Sequence, residues 1–277
     1  MARRSYQLAA VTAVLTFALI LLGEFTAVSG SGATCGLQWP DCSGQFLPFG
    51  LPVNDFIEQF HRSVAMVVGF FILGTGAAAY RNFDARDIKL AGVLAIVLLP
   101  LQVILGGTTV TFSGLVPGGY QPLTQAVHHL AAMAILGTVT YTALRMRDAA
   151  GIGLGRVRTA VLAALAVLPF EVAFSRGTIF TVYGSWIQII HHTFELALFT
   201  AAFTAFVWSL RRNAIRSAAA TGGVALLSTA QVLLGVGLFP FGPTIQLAYY
   251  ALAVVIAALL VATARIRAHA PPTAATA

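Results

Sequence analysis

Long apolar runs separated by short polar breaks dominate the chain. Bounded by charged residues, Gly and Pro, they fall at about 7–28, 58–80, 88–109, 124–144, 157–175, 186–209, 217–239 and 245–264. Each is close to the roughly 20 residues that a helix needs to cross a bilayer, and none is long enough to cross twice. The pattern predicts an all-α integral membrane protein of eight transmembrane helices. The first run follows Arg3 and Arg4 and resembles a secretory signal, but no clear small-residue cleavage site comes after it, so it reads as a retained first helix.

The charges add an orientation. With the amino terminus in the cytoplasm, Arg3, Arg4, Arg81, Arg86, Lys89, Arg145, Arg147, Arg156, Arg158, Arg211, Arg212, Arg216, Arg265 and Arg267 all lie on that side. Of the 16 basic residues only Arg62 and Arg176 are left at the other face, which by the positive-inside rule predicts that both termini are cytoplasmic. Trp186 and Trp208 then bracket the sixth span, about 33 Å apart at ~1.5 Å per residue. The outward loops follow at about 29–57, 110–123, 176–185 and 240–244.

An internal repeat adds an architecture. Gln102-Val-Ile-Leu-Gly106 recurs as Gln231-Val-Leu-Leu-Gly235, and Pro122-x-x-Gln125-x-x-His128-His129 as Pro243-x-x-Gln246-x-x-Tyr249-Tyr250. Four spans per repeat give both halves the same orientation, so the expected fold is two parallel-repeat four-helix bundles, 1–150 and 151–277. The glycine-spaced stretch from Asp148 to Gly155 reads as the connection between them.

Composition sharpens this picture without redirecting it. The 277 residues are 58% hydrophobic and 9% charged, with mean hydropathy +0.86, which excludes a soluble globular enzyme and leaves no length for a separate soluble domain. The net charge of +7 reads as topology and not as a nucleic-acid surface.

Five of the six histidines lie at one depth, near the outward ends of even-numbered spans: His61, the pair His128 and His129, and the pair His191 and His192. Ionisable groups inside a membrane are costly and are retained for function. Their spacing is not that of a zinc site; it suits haem held between facing helices of a bundle. His61 with His129 or His128 forms one such pair, whereas in the second half the partner position of His191 is Tyr250, which leaves Tyr250, Tyr249, water or nothing opposite it. Glu58 shares a helix face with His61 and is a candidate for proton handling, and Arg62 can pair with a haem propionate. Glu195, four residues after His191, can orient that imidazole. Gln188 and His192 stand where the first half has Glu58 and Arg62, so the acid chemistry is asymmetric. Cys35 and Cys42 lie in the first outward loop, where an oxidising side favours a disulfide of structural or redox character.

Taken together these motifs resemble the haem A synthase family: eight spans, an outer-loop Cys pair, Glu58-x-x-His61-Arg62, His129-Leu130, and Gln188-Ile-Ile-His191. The resemblance implies oxidation of the C8 methyl of haem O to the formyl of haem A. It assigns the substrate iron to His61 and His129, catalysis to Glu58, a propionate to Arg62, and a cofactor haem b to His191, with Tyr250 standing where the family has its fourth histidine. It also implies a cell-membrane location with haem sites near the outer face, supply by a haem O synthase, delivery to terminal-oxidase assembly factors, and room for a homo-oligomer. The rival readings are a non-catalytic di-haem carrier of the cytochrome b type and a parallel-repeat transporter.

Overall fold

A computed structural model describes residues 1–36, 38–113, 122–152, 155–180, 182–235 and 240–268. They form eight helices: α1 (Ala2–Val28), α2 (Val53–Asn82), α3 (Arg86–Ser113), α4 (Pro122–Ala149), α5 (Val157–Phe174), α6 (Ser185–Leu210), α7 (Ile215–Gly235) and α8 (Pro243–Ala268). All eight are long and apolar enough to cross a membrane, so the all-helical multi-pass reading holds. Parts of the loops at 29–57, 110–123 and 176–185, of the seventh predicted span, and of the connection at 148–155 lie outside the described residues.

Helices are required here because lipid offers backbone N–H and C=O groups no partners. Pro122 and Pro243 open α4 and α8, where the missing N–H costs nothing. Pro100 and Pro169 lie inside α3 and α5 without ending them.

Helices α1, α2, α3 and α4 pack as one ring of neighbours and α5, α6, α7 and α8 as another, and the rings meet where α1 and α4 lie against α6. Gly76 and Gly92 bring α2 and α3 together: a Cβ on Gly76 would stand 2.8 Å from the carbonyl oxygen of Gly92. Such small residues let membrane helices approach closely. A core of Met133, Leu136, Leu196, Leu198, Phe199 and Ile256 spans the boundary between the rings.

The two ends of the molecule differ. At the arginine-rich end, Asp87 accepts from Arg145 Nε at 2.5 Å, and Arg145 and Arg211 reach Asp148 at 3.0 and 3.2 Å, tying α3, α4 and α6 together. At the opposite end the α1–α2 loop is folded on itself by the Cys35–Cys42 disulfide. The side chains that attach this loop to α2 belong to the candidate site.

Candidate functional site

The first ring encloses a cavity of about 930 Å3 beneath the disulfide loop. Its lining includes Glu24 of α1, Glu58, His61 and Arg62 of α2, Gln102 of α3, and His128 and His129 of α4. Four of the residues singled out from sequence (Glu58, His61, Arg62 and His129) therefore meet in one chamber. His192 of α6 also lines it, so the second ring contributes to the wall.

Each histidine is held differently. The His61 ring lies against Gly23, where a Cβ would come 3.1 Å from Cε1, and the His128 ring lies against Gly106 at 3.3 Å. The buried Nδ1 atoms of His61 and His128 have no hydrogen-bond partner, while His128 Nε2 lies 3.4 Å from Gln102 Nε2. His129 Nδ1 is 2.5 Å from Glu24 Oε1, which leaves its Nε2 as the ring nitrogen available to the cavity. A carboxylate on the far nitrogen is how ligating histidines are usually oriented.

Glu58, 2% exposed, is tied to the loop. Its Oε2 accepts from the Cys35 backbone N–H at 2.8 Å and from Thr34 Oγ1 at 3.3 Å, and its Oε1 from Arg62 Nη2. Arg62 Nη1 donates to the carbonyls of Gln38 and Asp41 at 3.1 and 2.9 Å, and Gln59 Nε2 donates to that of Phe46 at 2.8 Å. One turn of α2 thus carries both the candidate acid and the anchor of the disulfide loop.

The second ring is built otherwise at the same depth. His191 Nε2 lies 2.7 Å from Tyr249 Oη and His191 Nδ1 2.5 Å from Tyr183 Oη. Tyr249 also donates to Glu171 of α5. Burial, reinforced by the charges of Glu195 and Glu24, holds the Tyr183 phenol well above its usual range, so it remains protonated. Glu195 Oε2 pairs with His192 Nδ1 at 2.7 Å. Tyr250 turns away to Thr178 Oγ1 at 2.6 Å and Gln246 Nε2 at 3.0 Å. Of the two tyrosines weighed opposite His191, the structure places Tyr249 there and not Tyr250.

These two sites answer differently to a haem. In the first ring a large chamber, unpartnered imidazole nitrogens and glycines that give the rings room all fit a macrocycle. In the second the cavity beside His191 is about 40 Å3, room for roughly one water, and tyrosines occupy both ring nitrogens. The residues present do not fit the haem b expected there. Tyrosine in place of histidine lets the phenol close on His191 directly and fill the space.

Sequence reasoning missed Glu24, Glu171 and Tyr183. The two glutamates are the sole acidic residues of the first and fifth apolar runs, and the depth argument applied to the histidines would have found them. Tyr183 lies in a loop and carried no such signal.

Fold and site together define a multi-pass helical membrane protein with a histidine-lined chamber in one of two helix rings. Comparison with known proteins takes this further. The family model COX15-CtaA, described as cytochrome oxidase assembly protein, matches residues 51–179. The chain is 31% identical over 127 residues to a protoheme IX farnesyltransferase of Halobacterium salinarum (strain ATCC 29341 / DSM 671 / R1), covering 46% of this chain and 27% of that protein. It is 31% identical over 155 residues to a heme A synthase of Lysinibacillus sphaericus (strain C3-41), covering 53% and 48%. It is 24% identical over 273 residues to a heme A synthase of Bacillus pumilus (strain SAFR-032), covering 83% and 85%. The match to the Halobacterium protein spans about a quarter of that relative's length, and that to the Lysinibacillus protein about half. The likeness to the haem A synthase family read from the motifs is borne out by these matches.

Proposed function

We propose that this chain is a haem A synthase, oxidising the C8 methyl of haem O to a formyl group. The observation that carries the reading is the 930 Å3 chamber lined jointly by His61, His129, Glu58 and Arg62. His61 and His129 hold the substrate iron from facing helices, with Glu24 fixing the ring of His129. Taking the methyl to a formyl removes four electrons and four protons and adds one oxygen atom, so the reaction would draw on water or dioxygen and on an external electron acceptor, with the substrate iron relaying the electrons. Arg62 meets a propionate at the mouth of the chamber, a role suited to guanidinium. Glu58 handles the proton released as the methyl group is oxidised. Arg62 and the Cys35 loop both bond its oxygens, so a change in its charge is felt at the loop.

The substrate reading is supported by the relatives named heme A synthase and by the one named for farnesyl transfer to protoheme IX. A haem O synthase would supply the substrate and terminal-oxidase assembly would consume the product. The arginine-rich end supports cytoplasmic termini and a haem site near the outer face of the cell membrane. Division at residue 150 is supported by the two helix rings and the Gln-Val repeat. A di-haem carrier is disfavoured because the second ring does not fit haem.

Pigment extraction from membranes of cells that make haem O, with and without this protein, tests the proposal. Haem A should appear only with the protein; membranes that accumulate haem O alone while the protein is present and folded refute it.

A further inference from the structure

Two of the 16 lysines and arginines, Arg62 of α2 and Arg176 between α5 and α6, stand at the end of the molecule opposite the arginine-rich one, and both line the large chamber. Arg62 has a role in the proposed reaction, whereas Arg176 belongs to the second ring and has none. Arg62 is largely committed: its Nη1 donates to the carbonyls of Gln38 and Asp41 at 3.1 and 2.9 Å, and its Nη2 to Glu58. Its charge is thus matched by a buried carboxylate before any ligand enters. Arg176 is the opposite case. Among the described residues the arginines paired with a carboxylate are Arg62, Arg145 and Arg211, and Arg176 is not one of them. It is exposed at the chamber mouth, and its guanidinium lies over the Phe241 ring, 4.5 Å from the centroid. A guanidinium held on an aromatic face keeps its N–H groups for an anion.

The segment that carries Arg176 is pinned on both sides of it. Ser175 Oγ donates to the Val172 carbonyl at 2.7 Å and lies 2.6 Å from Thr178 Oγ1. Thr178 Oγ1 in turn meets Tyr250 Oη at 2.6 Å, and Gln246 Nε2 donates to the Gly177 carbonyl at 3.0 Å. Gly177 takes φ +75°, and a Cβ there would stand 2.9 Å from Gln246 Nε2, so the turn after Arg176 needs glycine. Gln246 and Tyr250, which stand in the repeat where the first half has Gln125 and His129, therefore set the position of an arginine.

We propose that Arg176 is the second anion-binding arm of the chamber, holding one carboxylate of a bound haem while Arg62 holds the other. The inference rests on the reading of the chamber as a haem site and makes that site a joint product of both rings. A haem carries two carboxylates on one edge, and at the mouth of a chamber that edge stays near water. A second carboxylate without a cation of its own would face Glu24 and Glu58 in the same chamber, and like charges at short range repel. A charge-assisted hydrogen bond from Arg176 removes that repulsion and fixes the acidic edge of the macrocycle.

The test is absorbance titration of the full chain, purified in detergent, with ferric protoporphyrin IX and with its dimethyl ester, which lacks both charges. Arg176→Gln should weaken binding of the diacid about tenfold, the scale of one hydrogen bond between charged groups. It should leave the diester unchanged, which also shows that the variant is folded. Arg176→Lys should restore part of the loss, and the advantage of diacid over diester should shrink as salt is raised. Diacid bound by Arg176→Gln as tightly as by the wild type overturns the proposal. So does equal weakening of diacid and diester, which would make Arg176 a prop for its loop. A wild-type chain that binds neither porphyrin overturns this inference and the chamber it rests on, whereas one that shows the Arg176 dependence yet makes no haem A refutes only the reaction.

Discussion

The two helix rings set a histidine at the same level of α2 and α6, yet they build opposite environments around it. His61 borders a chamber of about 930 Å3; His191 is clasped between two phenols beside a cavity of about 40 Å3. The difference comes from few substitutions. Tyr249 and Tyr250 stand in the repeat where the first half has His128 and His129, and Gln188 and His192 stand where it has Glu58 and Arg62. A phenol reaches across and bonds the facing imidazole, so the ring closes. An imidazole of the facing pair, anchored from behind by Glu24, leaves the ring open. A duplicated scaffold thus carries a ligand chamber in one half and a packed polar cluster in the other.

The largest difference between the rings is expected at Glu58. Glu58→Gln should leave the chamber able to hold haem O while haem A formation falls by about 100-fold or more, the usual scale of a lost acid–base group; pigment analysis reads both. Next, Glu24→Gln should weaken haem retention about 10- to 100-fold, because His129 loses the partner that orients it; haem titration of the purified protein measures this. Cys35→Ser should destabilise the loop over Glu58 by about 2.5 kcal/mol from lost chain closure, seen as faster proteolysis between residues 29 and 52. The smallest effects lie in the second ring. Tyr249→Phe should cost about 1–3 kcal/mol by stranding buried Glu171 and His191, whereas Tyr250→Phe should cost about 1 kcal/mol or less, and thermal unfolding of the two variants side by side shows which tyrosine the ring depends on.

Much of this was legible in the chain. Eight spans, the placement of arginines at one end and the gathering of Glu58, His61, Arg62 and His129 follow from hydropathy, charge and helical spacing, which are local properties. Rotational setting was harder to read. Adjacent residues on a helix point about 100° apart, so the choice between Tyr249 and Tyr250 depends on how α8 packs against α5 and α6. The surroundings of His191 were hidden for a related reason: a motif shows that His191 is present but not that Tyr183 and Tyr249 occupy its nitrogens. Glu24 and Glu171 were hidden because single acidic residues form no motif, and their roles emerge only when α1 meets α4 and α5 meets α8.

The proposed asymmetry is that the first ring takes haem and the second does not. The direct measurement is the haem-to-chain ratio of the purified protein after saturation with haem, repeated for His61→Ala and His191→Ala. One haem per chain, lost with His61→Ala and kept with His191→Ala, is the predicted result. Two haems per chain, or a haem that survives His61→Ala and disappears with His191→Ala, would contradict it.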